Sequence, residues 1–171
     1  MALQKGEKMK IGKKMEEAIN RQVTHEFEAE RAYLSIAAYF ESLSLSGFAH
    51  WMQKQAAEER THALKFFKFV CERGGIVSLD ALPKPPSGFG SPLAAFEAAY
   101  EFELGTTKKI DALYELSIAE KDHATSAMLK WFIDEQVEEE DNAMRNIEQV
   151  KMAGESKGAL LHLDHRLGKR E

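Results

Sequence analysis

The sequence predicts an all-α protein: a four-helix bundle with a long crossover between the second and third helices and a short fifth helix at the C-terminus. Four long segments have apolar residues at helical spacing, and turn signals separate them. Only one connection is long, about residues 75–90, and it contains three of the 4 prolines. A connection of this length suggests a crossover along the bundle. We therefore expect helices two and three to be parallel.

The first two helices are predicted to form a hairpin. The first runs from about residue 10 to 41 and is followed by a serine- and leucine-rich stretch that ends at Gly47. The second runs from about residue 47 to 73, where Gly74 and Gly75 provide a strong C-terminal signal.

The last three helices begin at recognisable capping residues or end at a glycine. Ser91 is an N-cap followed by Pro92 at the first helical position, so the third helix runs from there to about residue 120. Asp122 caps the fourth, which extends to about residue 154. A final helix over 157–167 is too short to be a fifth bundle member. We expect it to dock on the bundle end or on a neighbouring subunit.

Length and composition predict one mostly helical domain over residues 10–171, preceded by an N-terminal extension over 1–9 that we expect to be disordered. The chain has 171 residues, of which 44% are hydrophobic and 30% charged. No apolar run approaches the roughly twenty residues of a membrane span, and the N-terminus lacks an apolar signal core. We expect no membrane association.

The net charge and the cysteine count argue against several classes of binding partner and metal site. The formal net charge is −5 and no basic stripe stands out, which argues against nucleic-acid binding and suits cations. A single cysteine, Cys71, excludes an intramolecular disulfide and a metal site built only from cysteines. The simplest localisation is cytoplasmic.

Each long helix has an acidic residue where its apolar stripe calls for an apolar one. These residues are Glu26, Glu59, Glu103 and Glu139 on the first to fourth helices. All four lie near the middle of their helices, so packing of the hairpins can bring them to one level. Buried carboxylates repel one another and weaken a fold unless a cation neutralises them. The pattern therefore predicts a cation site in the middle of the bundle.

The second helix adds a histidine to this set. Glu59 and His62 lie three residues apart, so both side chains leave the same face. An inward Glu-x-x-His pair is how helix bundles hold carboxylate-bridged di-iron sites, and iron suits carboxylate and imidazole ligands. Alone, such a pair is more often a helical glutamate beside a satisfied histidine, and only the other helices favour the metal. Tyr33, one heptad from Glu26, is placed to hydrogen-bond a ligand or to act as a redox-active phenol; the alternative is a core-edge tyrosine.

The fourth helix contains an acidic run with two explanations. Glu135, Gln136 and Glu139 lie close enough in sequence to reach the same level of the bundle, while Glu138, Glu140 and Asp141 form a solvated face in the simpler interpretation. The remaining histidines have no comparable setting and are interpreted as surface or packing residues: His25, His50, His123, His162 and His165.

From about residue 14 to 168 the chain resembles the ferritins, specifically the non-haem ferritins of bacteria and archaea. The segments that support the resemblance are AAYFE (37–41), GFAHWM (47–52), EERTHA (58–63), ERGG (72–75), SPL (91–93) and FIDEQVEEE (132–140). The resemblance implies a cage of twenty-four subunits with ferroxidase activity. Fe(II) would be oxidised by O2 or peroxide at a di-iron centre, and ferric oxyhydroxide would be stored inside.

The resemblance also implies roles for individual residues. Glu26, Glu59 and His62 would form the first iron site, with Glu59 bridging to a second site made by Glu103 and Glu139. Further matches are Gln136 and Tyr33 beside the centre, and a third, more exposed iron position at Glu58, Glu135 and Glu138.

Related families fit less well. Bacterioferritin and rubrerythrin usually have a second Glu-x-x-His pair, whereas the fourth helix here gives Glu139-x-x-Asn142. Arg60 stands where bacterioferritin has its haem-binding methionine, so no haem is expected. Glu28 and Glu30 stand where the family more often has a tyrosine and a small residue, and Glu30 could perturb or supplement the iron site.

Two other functions remain open on the same scaffold. One is a di-iron peroxidase or oxygen scavenger that stores nothing, and the other is a structural shell with a non-catalytic cation site. The sequence leaves the preferred oxidant undetermined. The route of iron into the protein is equally undetermined, because Thr125, Ser126, Met128 and Leu129 occupy the region where eukaryotic members have acidic pore residues.

Overall fold

A computed structural model describes residues 10–171 and confirms the predicted fold class. The predicted N-terminal extension over 1–9 lies outside the described residues. Helix ends differ from the predictions by three residues at most, at the start of the first helix. None of the described helices is long and apolar enough to cross a bilayer. The five helices are α1 (Lys13–Ser42), α2 (Ser46–Glu72), α3 (Pro92–Ala119), α4 (His123–Ala153) and α5 (Lys157–Leu167).

Contacts between the helices define their directions. α1 and α2 form one hairpin and α3 and α4 another, each joined by a short turn. α1 packs on α3 in the opposite direction, since Tyr33 contacts Glu103 while Phe40, further along α1, contacts Phe96, further back on α3. Because α1 is antiparallel to both α2 and α3, those two helices are parallel, as expected.

The long crossover lies along the surface of α1. Asn20 donates to the carbonyl of Ile76 at 2.9 Å and accepts from the backbone N–H of Ser78 at 3.0 Å. Three turns further along α1, Arg31 donates to the carbonyl of Pro83 at 3.0 Å. The crossover has no helical or sheet hydrogen bonds of its own, so these side chains bind its backbone N–H and C=O groups. These bonds explain how an irregular segment stays in place.

The predicted caps are confirmed. Ser91 accepts a hydrogen bond from the N–H of Ala94 at 3.1 Å, and Asp122 accepts one from Thr125 at 3.1 Å. Gly74 has a φ of 68°, the left-handed conformation that ends α2 and that glycine adopts without strain.

The fifth helix docks on α2 and α4 of the same chain, the first of the two placements considered. Asp164 accepts a hydrogen bond from the backbone N–H of Phe48 at 2.7 Å, in the first turn of α2. A Cβ on Gly47 would lie 1.8 Å from the Asp164 carbonyl oxygen, so this approach requires glycine.

Two apolar clusters fill the bundle and leave a polar layer between them. One cluster lies at the α5 end and includes Phe40, Phe48 and Phe96. The other lies toward the opposite end and includes Ile19, Phe66, Ile110, Leu129 and Phe132. The layer between them holds the acidic residues, so each helix changes from apolar to polar and back along one face.

Candidate metal centre

Four carboxylates, one from each long helix, are buried in the polar layer. Glu26, Glu59, Glu103 and Glu139 are 1%, 2%, 1% and 5% exposed. His62 lies among them at 4%. Carboxylates are almost never this buried without a partner, and here no lysine or arginine is bound to any of the four among the described residues.

Glu26, Glu59 and His62 form the first three-donor group. One ligand atom from each lies within 4.8 Å of the others, and His62 Nδ1 is 3.3 Å from Glu59 Oε2. Gln22 holds one oxygen of Glu26 with a hydrogen bond of 2.8 Å to Oε1, while the other oxygen, Oε2, is buried without a hydrogen-bond partner. A buried carboxylate oxygen of this kind needs a partner, and a metal ion held by the two neighbouring donors would provide one.

His62 also belongs to a second three-donor group, with Glu135 and Glu139. Its other ring nitrogen, Nε2, is 3.8 Å from Glu135 Oε1. Glu135 is only half-buried, so this group lies between the buried centre and solvent. Among the described residues the sequence-predicted pair of Glu103 and Glu139 does not form a three-donor group of this kind.

Glu103 is held by polar neighbours. The hydroxyl of Tyr33 donates to Glu103 Oε1, and Gln136 Nε2 donates to Glu103 Oε2 at 3.2 Å. Gln136 is itself fixed by Thr107 Oγ1 at 3.2 Å. Tyr33 and Gln136, both predicted from the sequence to lie beside the centre, therefore contact one of its carboxylates directly.

Sequence reasoning missed two glutamines that hold the carboxylates. Gln22 donates to Glu26, as described above. Gln55 is fully buried and donates to two carboxylates from different helices, Glu59 Oε1 at 3.2 Å and Glu139 Oε2 at 2.7 Å. Each glutamine precedes a predicted ligand by four residues, one helical turn. That spacing was a signal available in the sequence.

Burial and mutual repulsion raise the pKa values of Glu26, Glu103 and Glu139. The pKa of Glu26 is well above its usual value because of burial and the nearby charge of Glu59. Burial raises the pKa of Glu103 to about 8, with the charge of Glu59 adding to it. The pKa of Glu139 is also raised to about 8, by burial and then by the charge of Glu103. Without a cation, Glu103 and Glu139 hold protons near neutral pH.

His62 is fixed by its surroundings. Burial lowers its pKa, but the hydrogen bond and charge of Glu59, with the charges of Glu139 and Glu135, outweigh burial and the net shift is upward. Trp131 and Phe132 meet the imidazole edge-on, with ring centroids 5.5 and 5.9 Å away. In this orientation Nδ1 faces Glu59 and Nε2 faces Glu135, so the ring presents one nitrogen to each donor group.

The remaining predicted site residues lie further from the buried centre. Glu58 is partly exposed and forms an ion pair with Arg170, and Glu138 is exposed. Glu30, which could perturb or supplement the site, instead lies 3.3 Å from Arg60. The predicted third position at Glu58, Glu135 and Glu138 is thus not assembled as one three-donor group among the described residues.

His25 fits the packing role expected of it. It is buried, stacks on Phe102 with ring centroids 5.0 Å apart, and shares a 2.8 Å hydrogen bond with Thr106. Burial and then the charge of Lys109 lower its pKa to about 4, so the imidazole is neutral at pH 7.

The layer therefore offers hard oxygen donors and one imidazole, in a water-poor setting whose pKa values favour exchange of protons for metal ions. Each of the two three-donor groups has the ligand types that hold a cation, and His62 belongs to both. Two metal ions that are bridged by carboxylates lie close enough together for both to act on one small molecule.

Comparison with known proteins agrees with this fold. The family model described as "Ferritin-like domain" matches residues 16–153. Bacterial non-heme ferritin of Bacteroides fragilis (strain 638R) is 41% identical over 160 residues, 94% of this chain and 99% of the relative. The Staphylococcus aureus (strain USA300) protein of the same name is 36% identical, covering 94% and 96%.

A solved structure is similar as well. An open-pore ferritin from the archaeon Archaeoglobus fulgidus is 50% identical, with a TM-score of 0.93 over 94% of this chain and 99% of that one. The match to the family model spans α1 to α4, the four helices that contribute the buried donors. With its fold, its acidic layer and its relatives in agreement, this chain belongs to the ferritin family.

Proposed function

We propose that the protein is a ferroxidase that stores iron inside a multisubunit cage. The observation that supports it best is the buried layer of four carboxylates and His62, in which Glu26 Oε2 has no hydrogen-bond partner and no lysine or arginine is bound among the described residues. Iron ions would supply the missing positive charge. The relatives named as non-heme ferritins support iron as the cation.

In this proposal Fe(II) is the substrate. Glu26, Glu59 and His62 hold one ion, and Glu103 and Glu139 hold the second, with Glu59 shared between them. Tyr33 and Gln136 orient Glu103 through the hydrogen bonds described above. On binding iron, Glu103 and Glu139 give up the protons that their raised pKa values retain in the metal-free protein.

The reaction balances as two one-electron oxidations. Two Fe(II) ions lose one electron each, and O2 takes both electrons and two protons to become hydrogen peroxide; with peroxide as the oxidant the product is water. The Fe(III) ions then hydrolyse to ferric oxyhydroxide and release protons. Glu135 bridges the buried centre and solvent, and we propose that it leads oxidised iron outward toward Glu58 and Glu138.

Storage is tested by loading the purified protein aerobically with excess Fe(II) and separating it by size. We expect iron to elute with a very large assembly, far in excess of two ions per subunit. A small oligomer, or an assembly that retains two irons or fewer per subunit, would contradict storage and favour a di-iron peroxidase. An assembly that leaves the rate of Fe(II) oxidation unchanged would favour a structural shell.

A further inference from the structure

Arg170, three residues beyond the end of α5, reaches back to the helix that contains Glu59. Its guanidinium lies over the ring of Trp51, 4.6 Å from the centroid. One nitrogen donates to Gln55 Oε1 at 2.9 Å and another donates to Glu58. The backbone carbonyl of Arg170 is 2.8 Å from the Nε2 nitrogen of His50. These contacts place the guanidinium against one face of α2.

Gln55 connects this guanidinium to the buried carboxylates. Its carbonyl oxygen accepts from Arg170, and its amide nitrogen donates to Glu59 and Glu139. An amide has two N–H donors and one carbonyl, so all its polar groups are used. If the amide turned over, its oxygen would face two carboxylates and its NH2 group would face a cation. Both contacts would be repulsive, so Arg170 and the two carboxylates specify the same orientation.

We propose that Arg170 is a positioning residue for the metal centre, acting through Gln55. This inference rests on the proposed function. By holding the Gln55 carbonyl, the guanidinium keeps both N–H groups aimed at Glu59 on α2 and Glu139 on α4, and so fixes the relative position of two carboxylates from different helices. A charged donor also polarises the amide and strengthens the hydrogen bonds it donates. Mutation of a group that orients a metal ligand typically weakens metal binding by roughly 10- to 100-fold.

The geometry explains why arginine suits this position. Its planar group has several N–H donors in fixed directions, so it can bind Gln55 and Glu58 at once while its face lies on Trp51. A lysine ammonium also has several donors, but they spread from one nitrogen and it has no planar face to lie on Trp51, so it would reproduce these contacts only in part. Arg166, one turn earlier on α5, provides a matched control because it contacts Gln149 and none of the buried carboxylates.

The test is anaerobic titration with Co(II), followed by the visible absorption of the bound ion, for the wild type and four variants. We expect Arg170→Ala to weaken Co(II) binding about 5-fold and to change the absorption, and Gln55→Leu to weaken it about 10-fold or more. Arg170→Lys should recover part of the loss. Arg166→Ala should bind as the wild type does.

The decisive measurement is the Arg170→Ala change made in the Gln55→Leu background. If Arg170 acts through Gln55, the second change weakens binding no further. Equal losses in both backgrounds, or an Arg170→Ala affinity equal to that of Arg166→Ala, would overturn the inference. Failure of the proposed function is distinguishable: loss of the di-metal centre itself would leave the wild type with fewer than two Co(II) ions per subunit, and failure of storage alone would appear in the aerobic iron loading and leave the Co(II) titration unchanged.

Discussion

At the scale of single residues, the conflict between stability and function is concentrated in a few glutamates. Glu26 and Glu103 are each 1% exposed, although an ionised carboxylate loses strongly favourable solvation when it is buried. Neutral donors from Gln22, Gln136 and Tyr33 offset part of the cost without cancelling the negative charge. A basic partner would stabilise the bundle more, but it would also occupy the position that a metal ion needs.

Glu59 is the carboxylate whose loss should matter most for oxidation. It contacts His62 and Gln55 and raises the pKa values of Glu26 and Glu103, so it lies at the centre of the layer. We expect Glu59→Ala to slow Fe(II) oxidation at least about 100-fold, a loss of roughly 3 kcal/mol, while the helices remain folded. Stopped-flow absorbance of the Fe(III) product, with circular dichroism, measures both.

The control for this variant is Glu101→Ala, which removes an exposed carboxylate from α3. Its oxidation rate should match that of the wild type. Oxidation by Glu59→Ala at the wild-type rate would remove the proposed mechanism.

At the scale of elements, the fifth helix completes an end of the bundle. α2 has no side-chain N-cap of its own, since its N-cap residue is Leu45. Asp164 supplies the missing acceptor from α5 by binding the Phe48 N–H, and a negative charge there also suits the positive end of a helix. The same docking brings Arg170 to Trp51 and Gln55. Docking of α5 therefore connects the C-terminus to the polar layer.

Removing this cap should loosen α5 without removing a metal ligand. We expect Asp164→Ala to lower the free energy of unfolding by about 1–2 kcal/mol and to speed amide hydrogen exchange in α5. Asp164→Asn keeps an acceptor oxygen, so its loss should be smaller. Exchange in α5 as slow as in the wild type would show that the cap does not hold the helix.

At the scale of the whole molecule, the acidic layer makes metal-free stability depend on pH. Glu103 and Glu139 have folded-state pKa values of about 8, above the 4.5 of the free group, so the folded state binds more protons than the unfolded state. Their stabilising contribution is complete below about pH 4.5 and is lost as pH rises through 8. The raised pKa of His62 acts in the same direction.

We therefore expect the metal-free protein to lose stability as pH rises from about 4.5 to about 8, by up to roughly 1.4 kcal/mol per pH unit for each of the two carboxylates, and the loss to level off above pH 8. Thermal unfolding in the presence of a chelator measures the trend. Glu103→Gln combined with Glu139→Gln removes both titrations and should flatten it. A wild-type slope no steeper than that of the double variant would contradict the pKa shifts.

The sequence by itself determined the helices, their caps and the identity of the buried donors. Apolar spacing defined α1 to α4 to within a few residues, and the acidic residues that interrupted that spacing, such as Glu26 and Glu103, are indeed buried. Both results follow from local periodicity, because side chains on the same face of a helix recur at a fixed spacing in the sequence. The parallel arrangement of α2 and α3 also followed, from the length of the crossover.

Only the tertiary structure decided what those residues contact. It joined His62 to Glu135 and Glu139 as a second donor group, paired Glu30 with Arg60, and brought Arg170 to Gln55. Residues 115 positions apart meet through the docking of α5, and no local repeat encodes such a distance. Side-chain direction within a packed layer depends on neighbours from other helices. The sequence could therefore identify the donors, while their grouping and support came from the fold.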